Sequence, residues 1–110
     1  RYTCGIVSNF MVDGGIKELL QINGIEKYFD FVITSIDVGW RKPNQRIYRV
    51  AHDMTRAAKE DVLFVGDNYI CDYEGPQKFG FNAVLLDKEN RFNKIPNRIR
   101  QMKHLLDRIG

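Results

Sequence analysis

Asp67 and Asp72 stand five residues apart in "VLFVGDNYICDYEG", residues 62–75, the first directly after an apolar run and the second in or beside the first turn of a following helix. Two ionised carboxylates brought within ~4 Å repel by about 4 kcal/mol at an effective dielectric near 20. A helix N-terminus offsets only about 0.3–1 kcal/mol of that at an exposed site. A cation is the sufficient remedy for a converging pair. Magnesium is the natural one, because it is commonly held by one or two carboxylates together with phosphate oxygens of a substrate. The plainer reading is that Asp67 makes a turn and Asp72 caps a helix.

Two further places carry groups suited to the same chemistry. Ser8 and Asn9 close the run "YTCGIVS" and offer a hydroxyl, a carboxamide and backbone N–H groups. Lys42, in "GWRKPNQRIY", offers a cation with Pro43 fixing the backbone beyond it. Each alone is ordinary, a turn or a solvated lysine. Together they supply phosphate donors, a positive charge and a metal seat, which is the inventory of phosphoryl transfer: positioning plus charge neutralisation.

These groups need a scaffold that brings them to one edge. "YTCGIVS" reads as a strand, and Asp13 can cap a helix carrying Ile16, Leu19 and Leu20 that stops at Asn23-Gly24. "FDFVITS" reads as a strand buried on both sides, and Pro43 suits the first turn of a helix with Ile47, Val50, Ala51 and Met54 on one face. "VLFV" is a third strand. Asp72 opens a short helix that Gly80 closes, and "NAVLL" is a fourth strand before a basic terminal helix over residues 96–110. Strands alternating with helices predict an α/β fold, a Rossmann-like parallel sheet of about four strands covered by helices on both faces. Right-handed crossovers place the carboxyl ends of such strands on one edge, where ligands of open α/β sheets sit. The qualifying positions are Ser8-Asn9, Thr34-Ser35, Asp67 and Asp87.

In that order the motifs resemble the haloacid dehalogenase-like (HAD) hydrolases, especially the phosphatase-type members. "GIVSN" is similar to the second family motif, "RKPNQRIY" to the third, and "VLFVGDNYICDYEGPQKFGFNAVLL" to the fourth with its following helix and strand. The resemblance runs from about Tyr2 to Asp87. It implies that Ser8, helped by Asn9, hydrogen-bonds phosphoryl oxygens of a small phosphate monoester and that Lys42 neutralises both that group and the attacking carboxylate. It implies further that Asp67 binds Mg2+ directly and that Asp72 does so through water or by orienting its neighbours. Haloacid dehalogenation fits less well, because it needs no metal and leaves the acid pair unexplained.

The family's first motif, a strand followed by DxD whose first aspartate is the covalent nucleophile, has no counterpart here. "AVLLDKEN" comes in the wrong order, pairs Asp87 with Glu89, and reads as an ordinary loop. The cap segment between the first two motifs is also absent. The expectation is therefore a partial core, 1–110, belonging to a magnesium-dependent phosphatase and inactive by itself. The competing expectation is a non-catalytic truncated module that self-associates or binds a partner. By the resemblance, the missing strand lies mid-sheet between "YTCGIVS" and "VLFV". Its loss leaves strand edges that need pairing, in a homo-oligomer or with a complementing chain. A receiver-like signalling domain is a third reading, but it expects an acidic pair after the first strand, where this chain has Ser8-Asn9.

Composition bounds the remaining classes. Of 110 residues, 44% are hydrophobic and 28% charged, ordinary globular usage with no run long enough to span a bilayer. Cys4 and Cys71 lack CxxC spacing and read as free thiols of a cytoplasmic protein. The net charge of +3 is concentrated after residue 86, where seven basic residues face three acidic ones. Such a tail can meet nucleic acid or an acidic membrane. Ile99, Met102, Leu105, Leu106 and Ile109, however, recur at helical spacing, and no stacking aromatics accompany the charge, so neither partner is expected. His52, His104 and Trp40 read as helix and loop residues, and Phe29, Phe31, Phe64, Phe79 and Phe81 as core or its margin.

Overall fold

A computed structural model describes residues 3–9 and 29–105, in two compact units, 1–57 and 58–110. The expected Asp13-capped helix and the segment 106–110 lie outside the described residues. No helix among the described residues is long and apolar enough to cross a membrane.

In the first unit β1, Gly5–Ser8, pairs in parallel with β2, Phe31–Thr34, in the register Gly5↔Phe31 to Ser8↔Thr34. The Phe31 ring lies where a Cβ on Gly5 would stand, so the bare backbone of Gly5 lets the paired strands close over it. Ile33 and Thr34 point to opposite faces and are both buried, so the carboxyl end of β2 is covered on two sides as the apolar run predicts. Thr34 Oγ1 accepts from Asp37 N–H and starts the one-turn helix α1, Ser35–Val38, which Gly39 ends in the left-handed region at φ 80°. Asn44 then caps α2, Gln45–Thr55, by accepting from Arg46 N–H at 2.9 Å. The expected helix forms, but Asn44 begins it and Pro43 lies outside. Ile47, Tyr48 and Ala51 make its buried face.

In the second unit the order is β3–β4–β5, all parallel: Leu63–Gly66, Asn82–Leu86 and Arg98–Ile99. Ala83, Val84 and Leu85 are buried in succession because β4 is paired on both edges, whereas β3, at the end of the order, is half-buried throughout. After β3 a wide helical turn, Tyr69–Glu74, runs into α3, Gly75–Phe79, and Gly80 stops it at φ 115°. The helix thus starts three residues before Asp72, with Asn68 as its cap, because the Asn68 side chain accepts from Cys71 N–H. Phe79 meets Phe81 edge to face at 4.9 Å, and Phe64 stacks on Phe81 at 6.3 Å.

The expected helix from residue 96 is corrected at its start. Arg98 and Ile99 form β5, followed by a single 3-10 turn, Met102–His104. Ladder bonds from Leu85 N–H to Asn97 O and from Asp87 N–H to Ile99 O satisfy the edge of β4, and an edge pairing of this kind overrides helical periodicity.

Candidate functional site

The sequence-predicted groups fall three in the first unit and two in the second. In the first, Ser8 ends β1 half-buried beside the buried Thr34, and Asn9 leaves the strand. Asn9 Nδ2 donates to Lys42 O at 3.1 Å, and Lys42 N–H donates to Asn9 Oδ1 at 2.8 Å. The carboxamide thereby bonds both main-chain groups of one residue, as an antiparallel neighbour strand does. Two segments 33 residues apart are joined, and the lysine is brought to the end of β1. The loop carrying Lys42 is fixed on either side by Gly39 N–H donating to Ser35 O at 2.9 Å and by Asn44 N–H donating to Arg41 O at 2.8 Å. Trp40 is 40% exposed and holds the Arg46 guanidinium 4.2 Å from its ring centroid, so its loop reading stands.

In the second unit Asp67 is exposed immediately after β3, and Asp72 is buried inside the wide turn. Asp72 Oδ2 accepts from Asn68 N–H at 3.1 Å. A Cβ built on Gly66 would fall on the Asp72 carboxyl group. The buried carboxylate therefore lies against the last residue of β3, one position before Asp67. Two hard carboxylates, one oriented and one accessible, are donors of the oxygen type that magnesium takes. Among the described residues no group of three or more His, Cys, Asp or Glu forms a closed metal cage.

Asp87 has a role that the sequence reading missed. Its buried carboxylate accepts from Arg91 N–H at 2.8 Å and Phe92 N–H at 2.9 Å, and pairs with Arg98 Nη1 at 3.3 Å. Burial pushes its pKa up, but the two N–H donors and the charges of Arg98 and Arg100 outweigh it and hold the group below its ordinary 3.8. It organises the loop between β4 and β5. Its sequence signal, an acid after an apolar strand, cannot be told from that of a site residue. His52 is a helix residue with Nε2 2.8 Å from the Ala57 carbonyl oxygen, and Cys4 and Cys71 are not joined in a disulfide.

Comparison with known proteins matches residues 1–86 to the family described as haloacid dehalogenase-like hydrolase. A human protein, haloacid dehalogenase-like hydrolase domain-containing protein 3, is 38% identical over 81 residues, 74% of this chain and 32% of its own length. The glyceraldehyde 3-phosphate phosphatase of Methanothermobacter thermautotrophicus is 33% identical over 88 residues, 80% of this chain and 38% of its own. A crystal structure of a HAD phosphatase from Thermococcus onnurineus superposes with a TM-score of 0.87 at 28% identity, covering 99% of this chain and 51% of that one. The chain spans about a third of the length of the curated relatives it matches.

Proposed function

We propose, from the premise that the chain belongs to the haloacid dehalogenase-like hydrolase family, that it supplies the phosphate-holding and magnesium-seating part of a phosphatase acting on small phosphate monoesters. The observation that carries this reading is the buried Asp72 carboxylate held against Gly66, one residue from the exposed Asp67 at the end of β3. Haloacid dehalogenation, which calls for no metal, would leave that pair without a task. Similarity to two phosphatases supports the same class.

In this reading each residue has one task. The Ser8 hydroxyl donates to a phosphoryl oxygen, and the Lys42 ammonium neutralises charge on that group and on the attacking carboxylate. Asp67 and Asp72 would hold magnesium, which when bound supplies charge neutralisation at the transferring phosphoryl group. The nucleophile is an aspartate that the 110 residues lack, since no DxD pair occurs in them. It attacks phosphorus and breaks the ester P–O bond, the alcohol leaving as the aspartyl-phosphate forms, and water then hydrolyses that intermediate to phosphate and the free carboxylate.

The missing DxD pair is also what favours the second reading, a non-catalytic module that binds a partner or a second copy. An aryl phosphate assay with and without magnesium separates the two. The chain alone should be silent, and addition of a chain carrying a DxD strand should give magnesium-dependent release of the phenol. Silence with every complementing strand that binds leaves the non-catalytic reading. Turnover by the chain alone overturns the assignment of an external nucleophile.

A further inference from the structure

We propose that Asn9 is a positioning residue for Lys42 rather than a ligand of the substrate, an inference that rests on the phosphate-holding reading above. Its carboxamide is engaged at both ends by the Lys42 main chain, at 2.8 and 3.1 Å. A side chain that accepts from the N–H and donates to the C=O of one residue sets the direction of that residue's Cα–Cβ bond, and so the cone within which the ammonium moves. Asn does this at the length available; an aspartate keeps only the acceptor and sets an oxygen against the Lys42 carbonyl. Because Asn9 follows Ser8 directly, one strand end delivers a hydroxyl to the phosphate and fixes the lysine that shares the phosphate's charge.

The bond pair also explains why the lysine works from a loop. Gly39 at φ 80° and the Asn44 cap define where that loop begins and ends. Asn9 supplies the link between those two fixed points.

The test is binding of inorganic phosphate to the 110-residue chain, read by titration in wild type and in Asn9→Ala, Asn9→Asp, Lys42→Met, Ser8→Ala and the doubles Asn9→Ala/Lys42→Met and Asn9→Ala/Ser8→Ala. Circular dichroism checks folding; Asn9→Asp, nearly isosteric, serves if Asn9→Ala does not fold. The bonds Asn9 makes are to neutral main-chain groups, each worth up to about tenfold, so each Asn9 variant should bind up to about tenfold more weakly. On a Lys42→Met background the same change should cost nothing further, while on Ser8→Ala it should cost its full factor. A merely structural Asn9 adds its loss to both backgrounds, and that result overturns the proposal. So does wild-type affinity in Asn9→Ala when Lys42→Met has lost binding. Unaltered affinity in Lys42→Met overturns the phosphate reading itself, and the role of Asn9 with it.

Discussion

Gly66 matters because of what it leaves out. The space its Cβ would fill is taken by the Asp72 carboxyl group, so Gly66→Ala must push either the carboxylate or the strand end aside. Overpacking of this kind costs about 1–3 kcal/mol, and chemical denaturation should show a loss of that size. Titration with magnesium should show weaker binding in the same variant, since the displaced carboxylate is one of the two proposed to seat the ion. Asp87 makes the complementary case, a buried acid whose bonds to Arg91, Phe92 and Arg98 hold the loop after β4. Its pKa is lower folded than unfolded, so the stability it contributes is full above its ordinary 3.8 and disappears as pH falls through the lower folded value. Asp87→Asn should lower the melting temperature near neutral pH and flatten the acid limb of a melting-temperature profile below pH 3.8. An unchanged acid limb would remove Asp87 as its cause.

Elements form here where local and tertiary demands agree. For α2, the apolar face of Ile47 and Ala51 agrees with the Asn44 cap, and Asn44→Ala should cost about 1 kcal/mol in equilibrium unfolding, within the usual range for a lost cap. The strands were legible in the sequence because runs such as "FVIT" and "NAVLL" are short, apolar and bounded by turn residues. Caps are less legible. Asp72 looked like a helix start because aspartate caps helices, yet Asn68 is four residues nearer the strand and captures Cys71 N–H first, leaving Asp72 inside the turn with its oxygen directed back to Asn68 N–H. The helical period of Ile99 and Met102 predicts a helix through residues 98–99. The open edge of β4 and the buried Asp87 decided otherwise, and both are long-range facts that no local pattern contains. Ser8, Asn9 and Lys42 are legible in the sequence as candidates, while the direct bond between the last two is a property of the fold.

At the scale of the whole molecule, the strand orders β1–β2 and β3–β4–β5 leave β1 and β3 as terminal strands among the described residues. A terminal strand presents a row of main-chain groups that template another strand, and stable proteins cover such rows or blunt them with charge, proline or bulges. Neither "GIVS" nor "LFVG" carries a charge or a proline, so neither is protected by its own sequence. The strand that the family resemblance calls for, apolar and ending in DxD, is of the type that can extend a parallel ladder from such an edge. Adding a chain that carries it should raise the melting temperature and slow amide exchange within Gly5–Ser8 and Leu63–Gly66, with little change in the amides of β4, which is already paired on both edges. A rise in melting temperature without new protection at either terminal strand would mean that the added chain binds elsewhere. Concentration-dependent protection in the absence of any added chain would mean that second copies supply the pairing, and the complementing strand would then have to compete with self-association before the nucleophile could be delivered.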